Sequence, residues 1–270
     1  MLKIGLTGST GSLGKVILKN NRIKKIKSFK DNITNRKKVF NWVKKNNLDV
    51  VIHLAAIVPI KTVNKNKAKA KNVNFDGTKN VVDACLKNDV SWFFFASTSH
   101  VYSSSKNKIN ENYSTNPISF YGNTKLEAEK YIVKEFKKKK ISYCIGRIFS
   151  TTNKDQKKGY LIPDLKKRIR NSKKKLILKN LNHFRDFISM ANISKVIIHL
   201  LNKRYNGIIN IASGKKIHLK DIAITILKKY NKTNYEFIDN KVETSLIGDI
   251  SKLKKITKFK INDSIKKLIF

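Results

Sequence analysis

The chain has 270 residues, with 59 lysines and arginines against 18 aspartates and glutamates, and a formal net charge of +41 at pH 7. This length suits one large α/β domain, alone or with a small second lobe. The positive excess is almost entirely lysine and runs from end to end, whereas specific readers of nucleic acid cluster their charge and use arginine forks. Composition therefore argues against a specific nucleic-acid function and predicts only nonspecific, salt-sensitive binding to polyanions.

Other function classes are excluded by what the chain lacks. No apolar run approaches the ~20 residues of a membrane span, and the sequence enters an apolar strand at residue 2, which leaves no room for a signal peptide. Cys85 and Cys144 stand in apolar contexts without metal-ligand spacing, so we expect reduced thiols and no metal site. These features predict a soluble, cytoplasmic protein.

The first half alternates short apolar runs with longer amphipathic stretches. Continuous apolar runs predict buried parallel strands, and the stretches between them predict helices. The strands are predicted at 2–6, 50–54, 92–96 and 142–145, and the helices at 12–20, 35–46, 68–88 and 120–139. This βαβ series predicts an α/β fold with a Rossmann-like, doubly wound parallel sheet.

The pattern loosens after about residue 150. Helices are predicted at 159–170, 193–201 and 219–230, with short strands at 176–178 and 208–211. We interpret these as a small C-terminal α/β lobe that covers the carboxyl ends of the strands and binds substrate. The predicted domains are residues 1–150 and mainly residues 151–270, and the second range could include segments that return to the first domain.

A glycine turn follows the first strand and opens the first helix. Gly8, Gly11 and Gly14 are spaced three residues apart, and in this context glycine permits a tight turn and the approach of a pyrophosphate to backbone N–H groups. The segment therefore predicts a dinucleotide site for NAD or NADP.

A second constellation can carry acid/base chemistry. Lys125 follows Tyr121 by four residues on a predicted helix, which places an ammonium beside a phenol whose ordinary pKa is near ~10. A nearby cation favours the phenolate, so Tyr121 could exchange a proton with a substrate hydroxyl or ketone. Thr98 ends a predicted strand and could hydrogen-bond to the same oxygen. The alternative is an ordinary surface pair on a helix.

These segments, in this order, resemble the extended short-chain dehydrogenase/reductase family, in its NAD-dependent epimerase/dehydratase branch that acts on nucleotide sugars, near the dTDP-4-dehydrorhamnose reductases and UDP-sugar 4-epimerases. The resemblance covers nearly the whole chain. Besides the glycine turn and the Tyr121/Lys125 pair, it rests on the segments 53–56, 74–78, 97–102, 146–147, 185–188 and 209–214.

The resemblance implies roles for residues that spacing alone does not assign. Thr98, Tyr121 and Lys125 would be catalytic. The predicted cofactor-binding residues, which include the last two of these, are Gly8, Thr10, Gly11, Ser12, Leu13, Gly14, Asn32, Ile33, Leu54, Ala55, Ala56, Tyr121 and Lys125. Similar proteins usually dimerise through paired helices, so a homodimer is compatible with this resemblance.

One departure concerns the cofactor. Relatives end their second strand with an acidic residue that binds the ribose 2′-hydroxyl, whereas this region carries Lys24, Lys25 and Lys27. These lysines slightly favour NADP and leave both NAD and NADP open.

On the substrate side, resemblance implies contacts from Ser99, His100, Arg147 and Arg185. Dehydratases carry an Asp-Glu pair where this chain has Ser99-His100, which disfavours dehydration. His100 could exchange protons beside a ketone or be a hydrogen-bonded histidine of the pocket. Each arginine could bind a nucleotide diphosphate or form an internal ion pair.

The sequence thus predicts an NAD(P)-dependent oxidoreductase or epimerase of a nucleotide-linked sugar, one that works by 4-keto reduction or 4-epimerisation for surface-polysaccharide precursors. The alternative is a non-catalytic protein that kept this fold to sense a cofactor or to bind RNA.

Overall fold

The computed structural model describes residues 2–20, 25–58, 60–139, 141–153, 156, 159–239 and 242–270. The strands within these ranges are β1 (Ile4–Thr7), β2 (Ile26–Ser28), β3 (Val50–His53), β4 (Trp92–Thr98), β5 (Ser142–Ile148), β6 (Ser150–Thr152), β7 (Leu176–Lys179), β8 (His183–Arg185), β9 (Phe187–Ser189), β10 (Gly207–Ile211), β11 (Ile217–His218), β12 (Tyr235–Ile238) and β13 (Thr244–Leu246). The helices are α1 (Ser12–Leu18), α2 (Arg36–Asn46), α3 (Ile60–Lys65), α4 (Lys67–Lys71), α5 (Gly77–Lys87), α6 (Phe120–Lys139), α7 (Leu161–Asn171), α8 (Met190–Asn202), α9 (Leu219–Lys229), α10 (Ser251–Thr257) and α11 (Ile265–Ile269).

Six strands form the central sheet, in the order β10-β5-β4-β3-β1-β2, and every neighbouring pair is parallel. Helices α2, α5 and α6 bury their apolar faces on one side of this sheet, and α1 and α8 cover the other side. The predicted α/β class and doubly wound parallel sheet are confirmed.

The position of β4 in the sheet explains why residues 92–96 form a continuous apolar run. Side chains alternate between the two faces of a strand, so Trp92 and Phe94 enter the core beneath α1 and α8, while Phe93 and Phe95 enter the core beneath α2, α5 and α6. Because helices cover both faces, neither face tolerates polar residues. The strand continues to Thr98, which carries a hydroxyl to the carboxyl edge of the sheet.

Two elements predicted for the small lobe belong to the large sheet. Helix α8 packs on the face shared with α1, and β10 pairs in parallel with β5, with Ile209 opposite Gly146. The apolar pattern correctly predicted a helix and a strand here, but it did not predict that both pack on the large sheet. They are return segments, and the division into residues 1–150 and 151–270 stays a prediction.

The predicted helix over 68–88 is interrupted. A π-helical turn, Asn72–Asp76, separates α4 from α5. The wider turn places Asn74 against the loop after β3, where its side chain accepts a hydrogen bond from the Ile57 amide (2.8 Å) and donates one to the Ile57 carbonyl (3.0 Å). Such π turns frequently mark functional sites, and this one secures the loop that lines the cavity described below.

A third apolar core, built by α7, α9, α11 and β7, forms the small lobe. The lobe stands at the carboxyl edge of the sheet, where ligands bind in open α/β folds. Cys85 and Cys144 are buried free thiols. None of the helices in the described ranges is long and apolar enough to cross a membrane.

Candidate active site

The glycine turn brings backbone close to backbone at the end of β1. Gly8 has φ +71°, a left-handed conformation that favours glycine, and the Gly11 amide donates to its carbonyl at 3.0 Å. A Cβ on Gly14 would collide with that same carbonyl oxygen. The turn is therefore a cradle that side chains would fill, and it fits the pyrophosphate of a dinucleotide.

A buried histidine joins the ends of two strands to a helix. The ring nitrogens of His53 hydrogen-bond to the hydroxyls of Thr7 (2.6 Å) and Thr78 (2.9 Å). Burial, with a smaller contribution from Lys125, lowers the pKa of His53 to about 3, so the imidazole is neutral at physiological pH. Sequence analysis assigned no separate role to His53; in the structure this residue fixes the edge that carries Leu54, Ala55 and Ala56.

One cavity of about 1180 Å³ lies between the sheet edge and the small lobe. It exceeds the usual ~300–1,000 Å³ of a small-molecule pocket, which suits a dinucleotide together with a second ligand. Most of the predicted site residues line it together: Gly8, Thr10, Gly11, Ser12, Leu13, Gly14, Asn32, Ile33, Leu54, Ala55, Ala56, Thr98, His100, Tyr121 and Arg185.

Thr98 and Tyr121 meet in this cavity from different elements. Thr98 ends β4, and its hydroxyl accepts a hydrogen bond from the His100 amide at 3.2 Å. The same hydroxyl lies close enough to the Tyr121 phenol, in the first turn of α6, to lower the pKa of that phenol. Since the amide occupies an acceptor position of Thr98, its own proton is available for donation. Two hydroxyls thus face the cavity at one point.

Lys125 lies one helical turn beyond Tyr121 and does not line the cavity. It is buried, with its ammonium 3.9 Å from the centre of the Phe95 ring. Burial lowers the pKa of Lys125 to about 7, against an upward contribution from Glu129. A positive charge on Lys125 is stabilised by the face of the Phe95 ring and by the Glu129 carboxylate instead of by water.

The sequence predicted that Lys125 lowers the pKa of Tyr121, but burial has the larger effect on this pKa. Burial raises the pKa of Tyr121 above its ordinary value, with a further upward contribution from Tyr160 and a downward one from the neighbouring Thr98 hydroxyl. The residues of the chain therefore hold Tyr121 as a neutral phenol. A neutral phenol is a proton donor, which suits protonation of a ketone oxygen.

His100 and Arg185 line the cavity beside this pair, whereas Ser99 does not. Arg185 donates to the Phe184 carbonyl (2.7 Å) and to Thr244 (2.9 and 3.0 Å), which holds the guanidinium in place without a carboxylate partner among those contacts. Ser99 is buried and its carbonyl accepts from the Tyr102 amide, so its role is to close the turn after β4.

Arg147 is a correction to the sequence prediction. It does not line the cavity; its guanidinium forms a buried ion pair with Glu129 (2.7 Å) and donates to the Tyr102 hydroxyl (2.9 Å) and the Glu111 carbonyl (3.3 Å). Because these contacts use its donors internally, Arg147 is unavailable to a substrate. The internal ion pair that the sequence left open is the one observed.

Sequence reasoning missed part of the lining because it predicted no strand between the first two helices, where β2 lies. Lys24 lies outside the described residues, and Lys25 and Lys27 do not line the cavity. The chain reaches the cavity later, at Lys30 and Asp31, and Asp31 is paired with Lys38 at 2.6 Å. No short-range signal fixes the end of a three-residue strand, so these positions needed the fold. Further lining residues outside the sequence prediction include Phe29, Tyr160, Arg168, Lys179 and Phe187.

Gly11→Val is expected to weaken NADPH binding by more than about tenfold while the protein stays folded. Gly11 has φ −71°, which any residue adopts, and an added Cβ would meet only the Gly8 carbonyl oxygen, at 3.2 Å. The valine branches would instead fill the cradle. Calorimetric titration measures the binding and circular dichroism the fold; micromolar binding retained by the variant would contradict this assignment.

Comparison with known proteins gives the family. The model of the NAD-dependent epimerase/dehydratase family matches residues 5–212. The chain belongs to this family. The family resemblance and the nicotinamide dinucleotide cofactor predicted from the sequence are thereby confirmed.

Relatives within the family differ in reaction. The chain is 28% identical over 181 residues to a Methanocaldococcus jannaschii protein named for UDP-glucose 4-epimerase, and these residues span 65% of this chain and 59% of that protein. It is 26% identical over 269 residues to GDP-6-deoxy-D-talose 4-dehydrogenase of Aggregatibacter actinomycetemcomitans, spanning 93% and 90% of the two chains. The structure of RMD from Pseudomonas aeruginosa, complexed with NADPH, superposes with a TM-score of 0.90 at 18% identity, spanning 100% of this chain and 96% of that one.

Proposed function

We propose that this protein reduces or epimerises a nucleotide-linked keto-sugar at C4, with Thr98, Tyr121 and Lys125 as its catalytic residues. The Thr98 and Tyr121 hydroxyls, which line the cavity together beside the glycine cradle, carry the proposal. Membership of the NAD-dependent epimerase/dehydratase family supports it, as do relatives named for reactions at C4 of nucleotide sugars.

The residues of the chain perform three tasks in this reaction. The nicotinamide, when bound against the cradle, supplies the two-electron chemistry. Tyr121 gives its proton to the carbonyl oxygen of the substrate, or takes one from a hydroxyl in the opposite direction. Thr98 donates a hydrogen bond to the same oxygen and holds it in line, and Lys125 places a cation behind the phenol.

The neutral state of Tyr121 favours the reductive direction. A phenol whose pKa is raised by burial carries its proton at physiological pH, whereas oxidation of a hydroxyl requires a phenolate. Arg185 and Arg168 line the cavity on the side of the small lobe, where two guanidinium groups suit the diphosphate of a nucleotide sugar. We therefore place 4-keto reduction first and 4-epimerisation second.

Mass spectrometry of the purified protein under nondenaturing conditions separates the two reactions. An epimerase must regenerate its cofactor in each turnover, so NAD that stays bound through purification would favour epimerisation. An empty site, with consumption of added NADPH in the presence of a nucleotide-linked 4-keto-6-deoxyhexose, would favour reduction. Absence of both cofactor binding and turnover would contradict the proposed function.

The competing function, RNA binding on a basic surface, makes a separate prediction. If the net charge of +41 is distributed without a specific site, affinity for RNA should be independent of sequence and should fall steeply between low and physiological salt. Fluorescence anisotropy with two unrelated RNA oligonucleotides measures both properties. A preferred RNA bound with undiminished affinity at physiological salt would support the competing function instead.

A further inference from the structure

His100 occupies a fixed position in the lining of the cavity. It lies in the 3-10 turn that follows β4, and its ring is 6.0 Å from the ring of Tyr121, measured between centroids, at an interplanar angle of 69°. Its amide is tied to Thr98, and its carbonyl abuts Gly122 so closely that a Cβ there would collide. The backbone is thus held from both sides while the side chain faces the cavity.

His100 differs from most of the other histidines in the hydrogen bonding of its ring nitrogens. Both ring nitrogens of His53 hydrogen-bond to hydroxyls, Nδ1 of His183 contacts Thr244, and Nε2 of His218 contacts Asn182. Within the described ranges, no side chain or backbone group hydrogen-bonds to the ring of His100. The hydrogen-bonded pocket histidine allowed by the sequence is therefore not what the structure shows.

The surroundings of His100 favour its basic form. Burial lowers its pKa below the usual value, and the positive charge of Arg185 lowers it further. Arg185 is fixed by its bonds to Phe184 and Thr244, so its charge stays in place. A neutral imidazole with a nitrogen open to the cavity can accept a proton at physiological pH.

We propose that His100 is an acid/base residue that removes and returns the proton on the carbon next to the carbonyl of a bound keto-sugar, so that this site enolises its substrate in addition to its hydride chemistry. This inference rests on the proposed function, because it needs a keto-sugar whose carbonyl lies at Thr98 and Tyr121.

The step balances without a further reactant. The imidazole of His100 takes the proton, the electron pair of the broken C–H bond forms a C=C bond, and the carbonyl electron pair moves to oxygen, which receives the proton of Tyr121. The product is an enol of the sugar, which is an enediol when the proton comes from C3, together with an imidazolium and a phenolate. In reverse, the phenolate recovers its proton and the imidazolium returns one to carbon. Because an imidazolium exchanges its proton with water, the returned proton comes from solvent.

Solvent exchange is therefore the readout. The wild-type protein is incubated in D₂O, without NADPH, with UDP-, dTDP- and GDP-linked 4-keto-6-deoxyhexoses, and proton NMR follows loss of signal at C3 and C5. We expect deuterium to enter one of these positions at least about 100-fold faster with the wild type than with His100→Asn, a typical loss for a general base. His199→Asn is the matched control, because His199 stacks on Phe259 away from the cavity, and should exchange at the wild-type rate.

Two parallel measurements separate this inference from the proposed function. Substrate binding is measured by ligand-observed NMR, and reduction by NADPH consumption. A wild type that reduces a keto-sugar but adds no deuterium, or a His100→Asn variant that exchanges as fast as the wild type, overturns the role of His100 and leaves the proposed function standing. A protein that neither binds nor reduces any of these sugars overturns both.

Discussion

Replacing Tyr121 by phenylalanine is expected to lower turnover of an accepted keto-sugar by about 10²-fold or more, the usual loss when a general acid is removed. The phenol lines the cavity together with Thr98, and burial keeps it protonated. Phenylalanine keeps the ring and its contact with His100, so the loss isolates the transferred proton. Steady-state NADPH consumption measures turnover, and fluorescence titration verifies that the variant still binds the cofactor.

The matched control for this prediction is on the same helix. Tyr131 lies in α6, and its hydroxyl donates to Asp83 at 2.6 Å outside the cavity. Tyr131→Phe removes this partly buried hydrogen bond to Asp83. Because the bond lies away from the reacting atoms, turnover should stay near the wild-type value. Thr98→Val should cost about as much as Tyr121→Phe, because the substrate oxygen loses its second donor. Undiminished turnover in Tyr121→Phe would rule out the proposed mechanism.

Glu129→Gln is expected to lower the free energy of unfolding by about 3–5 kcal/mol, the range for breaking a buried ion pair on one side. The side chains of Glu129 and Arg147 are only 3% and 5% exposed. The Glu129 carboxylate receives two further bonds from Arg147 and a very short one from the Ser97 hydroxyl. The substitution leaves a guanidinium buried without a compensating charge. Urea denaturation followed by circular dichroism gives the difference.

Helix α6 again supplies a control. Glu135 pairs with Lys138 at 3.1 Å at the surface, where the lysine side chain is 58% exposed, so Glu135→Gln should cost less than about 1 kcal/mol. The double variant Glu129→Leu/Arg147→Met should recover much of the lost stability, since it removes both charges. Equal destabilisation by Glu129→Gln and Glu135→Gln would contradict the importance of the buried pair.

The Glu129 pair also shows why the sequence left two roles open for Arg147. Both arginines lie in segments that carry the family resemblance, and a guanidinium suits an external diphosphate and an internal carboxylate equally well. The choice depends on which partner the fold brings near. Strand β5 delivers Arg147 to Glu129 beneath the sheet edge, whereas β8 delivers Arg185 to the cavity.

By itself, the sequence determined the βαβ order, the parallel sheet and the glycine turn, and it predicted the Thr98, Tyr121 and Lys125 set. These rest on local patterns: apolar runs buried on both faces, glycine at a left-handed turn, and four-residue spacing on a helix. Only the tertiary structure decided that β10 and α8 return to the sheet, that Lys30 and Asp31 reach the cavity, that Arg147 turns inward, and that the His100 ring is left open. Those outcomes depend on which surfaces meet in the folded chain, because burial and pairing between segments that are not neighbours in the sequence leave no short-range trace in it.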